Sequence, residues 1–453
     1  MGVTRYDILI VGGSAAGYTA ALTAKKLYPD KKVLMIRAVG KPPIPCAIPY
    51  LAATIEACDR NLLPDKPLKD LGVEVVEDRV TEIDRSSKVV RTASGASYGY
   101  DKLILATGAL PFVPPSIKGA DLEGVYTIIK DYNVLMKLQE AIRRAEKIVI
   151  VGGGFIGVEL ADDLSNLQGK KVTIVEMLPH CLLLNLDEEF AVEAEERLKA
   201  KGVEIITGKA VRSIYGSGKA EGVELSDGTR IPADVVVICV GVKPNVELAS
   251  RAGLKIGESG AIAVDEYMRT SDPDIFAIGD CAEKRSFFTG KPKPLYLASV
   301  ACHEARVAVF NLYGLRMMKS SSGYVGAFLT VIGGRAFGVA GLTEREAKRE
   351  GLDVVVGSAE VPNRHPGLLP GATKTRIKLI FAKDSGTLVG AEASGGPEVA
   401  ELTNLLALAV QTRSTVTDLL TLQYGTQPML TASPVSYYVV AAAFNAYLKL
   451  KGS

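Results

Sequence analysis

Cys46 is the side chain of this sequence with the most distinctive chemistry. It lies in the proline-rich segment 41–50, and the position five residues further along is Leu51, so the chain lacks the second thiol of a dithiol centre there. A cysteine thiolate attacks sulfur, whereas an unreactive free cysteine usually fills a core. Together with the motifs described next, the segment favours a reactive thiol over a core-filling cysteine. It predicts covalent chemistry at a single sulfur.

A glycine-rich loop precedes Cys46 in the chain. The run 6–17 predicts a buried strand, a tight turn at Gly12 and the start of a helix at Gly17. The free N–H groups and the dipole of such a helix bind pyrophosphate. Ser14 takes the place of the middle glycine, and Arg37 stands at the end of the next strand, where an acidic residue normally binds a ribose. The loop therefore predicts a dinucleotide site with an unusual adenosine end, at which we expect Arg37→Glu to be tolerated.

A second glycine-rich loop lies further downstream. Strand 147–151 leads into Gly152, Gly154 and Gly157 and a helix that runs through Leu164. A second strand ends at Glu176, about 20 residues after the last glycine. A carboxylate at this position can accept both ribose hydroxyls, and it would repel a 2′-phosphate. The motif predicts a nicotinamide nucleotide site that prefers NADH to NADPH.

Two further strand ends complete a known pattern. They are Ala106-Thr-Gly108 and Ile278-Gly-Asp280. With the two glycine loops, they make the chain similar, over almost its whole length, to the FAD- and NAD-dependent pyridine nucleotide-disulfide oxidoreductases. The resemblance implies FAD-binding roles for Gly12, Ser14, Gly17, Arg37, Val80, Thr107, Gly108, Asp280 and Ala301. It implies NAD-binding roles for Gly152, Gly154, Phe155, Ile156, Gly157, Glu159, Glu176 and Gly241.

The same resemblance implies the fold and the order of the domains. We expect an α/β protein with two Rossmann-like nucleotide-binding domains, for FAD and NAD, and an α+β C-terminal dimerisation domain. The FAD domain should be split into 1–115 and 245–322, with the NAD domain at 116–244 between them and the dimerisation domain at 323–453. A homodimer is expected by this analogy, although the long apolar C-terminal helices would equally suit the core of a monomer.

The single cysteine narrows the resemblance to one branch. Family members that use a disulfide carry a Cys-x-x-x-x-Cys pair and a His-Pro dyad, and Leu51 and Gln427 take those positions here. The segment from Cys46 to Tyr50 resembles the branch of coenzyme A disulfide reductases, per- and polysulfide reductases, NADH peroxidases and NADH oxidases. Peroxidases and water-forming oxidases of this branch carry a histidine in the first glycine loop, where this chain has Ala15. The resemblance therefore favours thiol-disulfide chemistry with Cys46 as the catalytic thiol.

Support for coenzyme A itself rests on a few positions. Lys25 and Lys26 stand where coenzyme A reductases carry a basic pair, although lysines on a helix are usually just solvated. The paired tyrosines of those enzymes are replaced by Leu368 and Leu369. Tyr424 is the remaining candidate for a catalytic proton donor, supplied by the partner subunit.

We therefore predict an FAD-dependent NADH oxidoreductase that reduces low-molecular-weight persulfides, polysulfides or coenzyme A disulfide through Cys46, whose pKa its surroundings should lower. FAD and NADH are the expected cofactors, NADPH is less favoured, and coenzyme A is a further candidate ligand. One alternative is an NADH oxidase that reduces dioxygen to hydrogen peroxide. Another is a flavoprotein that relays electrons to a protein partner.

The composition limits the other partners. Lys and Arg total 53 and Asp and Glu total 51, and the formal charge of +2 gives no reason to expect nucleic acid or an anionic membrane as partner. No apolar run approaches the ~20 residues of a membrane span, and no signal-peptide core follows Met1. The six cysteines show no metal-ligand spacing. We expect a cytoplasmic protein with free thiols, small-molecule substrates and no metal.

Overall fold

The computed structural model describes residues 3–318 and 323–452. Its strands, in chain order, are β1 (Thr4–Val11), β2 (Val33–Arg37), β3 (Glu74–Glu77), β4 (Val80–Asp84), β5 (Val89–Thr92), β6 (Ser97–Leu105), β7 (Ala109–Pro111), β8 (Val125–Thr127), β9 (Lys147–Val151), β10 (Lys171–Val175), β11 (Glu204–Ile206), β12 (Val211–Tyr215), β13 (Gly222–Leu225), β14 (Arg230–Pro232), β15 (Val235–Ile238), β16 (Val242–Pro244), β17 (Ile275–Ala277), β18 (Ala327–Ile332), β19 (Arg335–Gly341), β20 (Val354–Pro362), β21 (Lys374–Ala382) and β22 (Leu388–Gly395). Its α-helices are α1 (Ala15–Leu27), α2 (Lys66–Asp70), α3 (Tyr132–Arg144), α4 (Phe155–Leu164), α5 (Glu188–Ala200), α6 (Glu247–Arg251), α7 (Ala298–Phe310), α8 (Glu344–Arg349), α9 (Glu398–Gln411), α10 (Val416–Leu420) and α11 (Tyr438–Lys451).

The first sheet carries the first glycine loop. Strands β3, β2, β1 and β6 lie side by side and parallel. β17 pairs in parallel with the last three residues of β6. β5 pairs antiparallel with β6, and β4 pairs antiparallel with β5. Both faces are covered, so the C-terminal parts of the two central strands, 8–11 of β1 and 103–105 of β6, are continuously apolar rather than alternating. Helices α1 and α7 pack on one face and approach closely because they meet through small side chains: Ala16, Ala20, Ala21, Ala24, Ala301, Ala305 and Ala308.

The second sheet carries the second glycine loop. Its order is β11-β10-β9-β15-β8, and every neighbouring pair is parallel. Helices α3, α4 and α5 cover one face, and the antiparallel sheet β12-β13-β14 covers the other. The predicted strand 147–151 and the predicted helix end at Leu164 are both confirmed.

The chain crosses between the two sheets twice. The outward crossing, β7, and the return crossing, β16, pair with each other as a short antiparallel ribbon. The strands of the second sheet thus lie, in chain order, between β6 and β17 of the first sheet.

The C-terminal part is an antiparallel sheet with helices against it. The sheet order is β18-β19-β22-β21-β20, with α9 on β19 and β22, and α11 on β20 and β21. These two helices leave large apolar side chains at the surface: Leu405, Leu408, Phe444 and Leu448. The predicted boundary at residue 322 falls in 319–322, outside the described residues.

Residues 3–318 and 323–452 contain neither a helix suited to span a membrane nor a cluster of metal ligands. None of the helices within 3–318 and 323–452 combines the length and the apolar character that crossing a bilayer requires. In the same ranges, no group of three or more His, Cys, Asp and Glu side chains is arranged to hold a metal ion.

Candidate active site

The segment that carries Cys46 folds as a short 3₁₀ helix, Pro45–Tyr50. Proline at its first position and at Pro49 pre-sets the backbone φ angles. Ile48 and Pro49 are buried and anchor the segment, while Cys46 is exposed to solvent. Leu51, at the position of a second thiol in dithiol enzymes, is buried in a small apolar cluster. The structure therefore places Cys46 at the surface, and it gives the core-filling role to Leu51.

A buried carboxylate attaches this segment to the second nucleotide-binding unit. Asp163, near the end of α4, accepts hydrogen bonds from the backbone N–H groups of Ala52 (3.0 Å), Ala53 (2.8 Å) and Thr54 (2.9 Å) and from the Thr54 hydroxyl (2.6 Å). Only 1% of Asp163 is exposed. The sequence analysis missed Asp163, because one acidic residue on a helix carries no signal of a partner more than 100 residues away.

The charges around Cys46 oppose its ionisation. Partial desolvation of the Cys46 thiol raises its pKa, and the nearby Glu159 carboxylate raises it further. Lys130 lowers this pKa, because its positive charge stabilises the thiolate. The protein's own groups therefore raise the pKa of Cys46, because desolvation and like charge outweigh one cation, and the lowering expected from the flavin and a helix N-terminus stays a prediction. Lys130, which the sequence analysis also missed, forms an ion pair with Asp280 (2.9 Å).

Glu159 stands where three parts of the chain meet. Its carboxylate accepts a hydrogen bond from the Thr330 hydroxyl of β18 (2.9 Å) and one from Tyr50 in the Cys46 segment. Burial raises the pKa of Glu159 to about 7, although both hydrogen bonds favour the ionised form. A carboxyl group close to Cys46 can therefore gain or lose a proton near neutral pH.

The first glycine loop has the shape of a phosphate-binding turn. Gly12 has a φ of +114°, and a Cβ there would overlap the carbonyl oxygen of Ala106, while a Cβ on Gly17 would overlap the carbonyl oxygen of Gly12. Only glycine allows these approaches. Ser14 is the N-cap residue of α1 but makes no side-chain capping bond, so the first N–H groups of the helix remain for a ligand.

The other residues predicted to bind FAD lie on several elements of the first sheet and its helices. Thr107 donates its hydroxyl hydrogen to the carbonyl of Asn245 (2.7 Å), and Gly108 has a φ of +71° with open space where a side chain would be. Val80 begins β4 and Ala301 lies in the first turn of α7. The tight glycine turn at the start of α1 fits the pyrophosphate of FAD, and the FAD-binding roles of Val80, Thr107, Gly108, Asp280 and Ala301 stay predictions.

Arg37 departs from the expectation. Its guanidinium is buried and forms a two-pronged ion pair with Asp65, at 2.6 and 2.8 Å. The expectation that Arg37→Glu would be tolerated is therefore revised, because a glutamate would face the Asp65 carboxylate with no cation between them.

The second glycine loop fits a nicotinamide nucleotide. A Cβ on Gly157 would overlap the carbonyl oxygen of Gly152, whereas Gly154 and Gly241 face open space. Phe155, at the start of α4, stacks on Phe328 with ring centres 5.5 Å apart. The neighbouring Ile156 is exposed.

Glu176 lies against this loop. Its carboxylate accepts the N–H of Gly153 (2.6 Å) and the N–H of Leu178 (2.8 Å). Each oxygen keeps a further lone pair with which to accept a ribose hydroxyl. Glu176 thus orders the loop and places a carboxylate beside it, and its binding of the ribose stays a prediction.

We expect Glu176→Ala to raise the KM for NADH and to narrow the preference for NADH over NADPH. Because the variant loses a charged hydrogen bond to the ribose, we expect kcat/KM for NADH to fall by a factor that corresponds to about 1–3 kcal/mol. Steady-state kinetics with both nucleotides measure it, with the exposed Glu196→Ala as a control on the neighbouring helix. An unaltered enzyme that uses NADPH better than NADH would contradict the assignment.

Three candidate residues have local roles or lie in another part of the chain. The Lys25 ammonium donates to the carbonyls of Pro29 (2.6 Å) and Lys31 (3.1 Å), and Lys26 is exposed. Tyr424 lies in the C-terminal part, stacked on Tyr437 with ring centres 4.1 Å apart. Its hydroxyl donates to the carbonyl of Pro434 (2.9 Å).

Comparison with known proteins places this site in a family. Residues 6–305 match the pyridine nucleotide-disulphide oxidoreductase domain, and residues 330–436 match the dimerisation domain of the same family. The chain is 33% identical to an NADH oxidase of Methanocaldococcus jannaschii, over 93% of this chain and 94% of the relative. It is 33% identical to an NAD(P)H coenzyme A polysulfide/persulfide reductase of Pyrococcus horikoshii, over 86% and 88% of the two chains.

A solved structure agrees with this placement. The NAD-dependent persulfide reductase from A. fulgidus superposes with a TM-score of 0.91 at 35% identity, covering 98% of this chain and 84% of the other. The protein therefore belongs to the pyridine nucleotide-disulphide oxidoreductases and is an NAD(P)H-dependent flavin oxidoreductase.

Proposed function

We propose that this enzyme uses NADH to reduce low-molecular-weight persulfides, polysulfides or coenzyme A disulfide through Cys46. The observation that carries the proposal is the exposed Cys46 thiol, held on a proline-rich turn between the two nucleotide-binding units. The relatives named as persulfide and coenzyme A-dependent sulfur reductases support this substrate class. FAD would lie in the cradle of the first glycine loop and NADH over the second.

Cys46 acts as the only covalent group in the proposed reaction. Its thiolate attacks R–S–S–R′, so that an S–S bond forms to Cys46 while the substrate S–S bond breaks and R′–S⁻ leaves. FAD at the first glycine loop would supply two electrons drawn from NADH, and with one added proton these would convert Cys46–S–S–R into the Cys46 thiolate and R–SH. Lys130 stabilises the thiolate, and Glu159 holds a proton near Cys46.

The substrate order follows from the leaving groups. Persulfides and polysulfides leave as hydrosulfide or as thiols of low pKa, which need less help from a general acid than an alkyl thiolate does. We expect anaerobic kcat/KM values with NADH to fall from persulfide and polysulfide to coenzyme A disulfide and then to hydrogen peroxide. A clear preference for hydrogen peroxide, or oxygen consumption faster than turnover of any sulfur substrate, would overturn the proposal.

A second candidate is an NADH oxidase that reduces dioxygen to hydrogen peroxide. It is favoured by the likeness to NADH oxidases of M. jannaschii (33%) and Enterococcus faecalis (31%), each over 93% of this chain. Stopped-flow reduction separates the two, because a thiol enzyme consumes disulfide without oxygen and an oxidase does not.

Assembly and location complete the proposal. The exposed apolar side chains of α9 and α11 and the match to the dimerisation domain support a homodimer. Tyr424 of one subunit would then supply a proton to the site of the other. The domain limits would be 1–115 with 245–322, 116–244 and 323–453. Six free cysteines favour the reducing cytoplasm.

Glu159 should control the ionisation of Cys46. As the pH rises through about 7, Glu159 loses its proton, and the new negative charge opposes formation of the thiolate. In Glu159→Gln this charge is absent, so the rate of alkylation of Cys46 by iodoacetamide should rise at a lower pH than in the unaltered protein. Asp59→Asn, which removes a largely exposed charge beyond the same segment, is the control. A pH profile that is the same in Glu159→Gln and the unaltered protein would contradict the electrostatic coupling.

A further inference from the structure

The end of β2 presents a cation where this fold normally presents an acid. Arg37 is the last residue of β2, and its side chain runs along the first glycine loop, because a Cβ on Gly13 would stand 2.7 Å from the Arg37 Cδ. At this position an acidic residue usually accepts the hydroxyls of the adenosine ribose. A guanidinium can only donate hydrogen bonds, so Arg37 cannot itself accept a hydroxyl hydrogen.

A carboxylate reaches the same place from a different part of the chain. Asp65 accepts a hydrogen bond from Nη1 of Arg37 through Oδ1 (2.6 Å) and one from Nη2 through Oδ2 (2.8 Å), and Nη2 also donates to the carbonyl of Gly40 (2.7 Å). Asp65 is the N-cap residue of α2, yet it makes no capping bond, because its side chain is turned toward Arg37. Its side chain remains 31% exposed, against 6% for Arg37. Each carboxylate oxygen therefore keeps an outward lone pair after pairing with the guanidinium.

The pair also contains one unsatisfied buried donor. The Nε of Arg37 is buried and has no hydrogen-bond acceptor among the described residues. A buried N–H without a partner costs about 1–3 kcal/mol, and such groups are rare unless a ligand or water supplies the acceptor. Because Arg37 lies beside a dinucleotide-binding loop, its unpaired Nε indicates that a bound ligand supplies an acceptor oxygen.

We propose that Asp65, held by Arg37, is the ribose-binding carboxylate for the adenosine end of FAD. Asp65 accepts the ribose hydroxyl hydrogens, and Arg37 positions Asp65 and offers its Nε–H to an oxygen of the cofactor. The acid that β2 lacks is thus supplied by the segment before α2. This assignment does not depend on the identity of the sulfur substrate.

The test measures the affinity of the holoenzyme for FAD and for the FAD analogue with 2′-deoxyadenosine. Dilution of holoenzyme with detection of released flavin fluorescence gives the Kd for FAD, and displacement of bound FAD gives the Kd of the analogue. We expect Asp65→Asn to weaken FAD about 10- to 100-fold, the range for a hydrogen bond to a charged group. Asp70→Asn, at the other end of α2 and paired with exposed Lys66, should leave the Kd unchanged.

The analogue distinguishes ribose binding from a general loss of structure. The unaltered protein should bind the deoxy analogue about tenfold or more weakly than FAD, and Asp65→Asn should bind FAD and the analogue almost equally. If Asp65→Asn binds FAD as tightly as the unaltered protein, the proposal is overturned. It is also overturned if the unaltered protein does not distinguish the two cofactors, a result that needs no variant to fold.

Discussion

Replacement of Cys46 by serine should abolish reduction of persulfides and disulfides while leaving a folded flavoprotein. The change is nearly isosteric and the side chain is exposed, so the packing of Ile48 and Pro49 below it is kept. A serine hydroxyl is not ionised near neutral pH and does not exchange with disulfides, and we expect anaerobic kcat/KM to fall by at least about a thousandfold. The long-wavelength charge-transfer absorbance between thiolate and flavin in the two-electron-reduced enzyme should be lost as well.

Cys302→Ser is the matched control for this experiment. Cys302 lies close enough to influence the pKa of Cys46, and its thiol is hydrogen-bonded to the Thr19 hydroxyl (3.2 Å), a contact that serine can keep. This variant should retain most sulfur reductase activity. Substantial anaerobic disulfide reduction by Cys46→Ser would contradict the thiol mechanism, and the NADH oxidase would then be the favoured function.

The second large effect is expected at Asp163, far from Cys46 in sequence. Asp163→Asn removes the charge that accepts three N–H groups and one hydroxyl from residues 52–54, and it turns an amide NH₂ toward donors. Buried donors left without an acceptor cost about 1–3 kcal/mol each, so the attachment of the Cys46 segment should weaken by about 2–4 kcal/mol. Hydrogen exchange at Ala52, Ala53 and Thr54 should accelerate accordingly.

Asp131→Asn provides the comparison for Asp163→Asn. Asp131 also accepts two backbone N–H groups, from Asn133 (2.9 Å) and Val134 (3.2 Å), but at the half-buried N-cap of α3. Asparagine caps helices about as well as aspartate does, so little change is expected there. Unchanged exchange at residues 52–54 in Asp163→Asn would mean that the segment is held by its apolar contacts instead.

The features that the sequence predicts well are local. A strand, a glycine turn and a helix are encoded within about 30 residues, and the strand Lys147–Val151 and the helix end at Leu164 agree with the prediction. The glycines were informative because backbone contacts, such as Gly17 against Gly12, leave no room for a Cβ. The same holds for Glu176, whose carboxylate meets its own glycine loop.

The residues that the sequence did not reveal are joined by long-range contacts. Asp163 binds residues 52–54, Lys130 pairs with Asp280, and Thr330 donates to Glu159, across sequence separations of 109 to 171 residues. No periodicity or spacing in the sequence identifies the partner of an isolated Asp, Lys or Thr. Each of these contacts therefore depends on how the sheets and helices pack.

The chemistry of Cys46 divides in the same way. The sequence by itself determined that one thiol without a partner stands between two dinucleotide-binding loops, because both loops and the Cys46 segment are short, continuous motifs. Only the tertiary structure decided the electrostatics of that thiol and the ion-pair partner of Arg37. Burial and Glu159 raise the pKa of Cys46 against the influence of Lys130, and Asp65 reaches Arg37 from a separate segment. Such effects depend on distance and desolvation in three dimensions, which no local pattern of residues encodes.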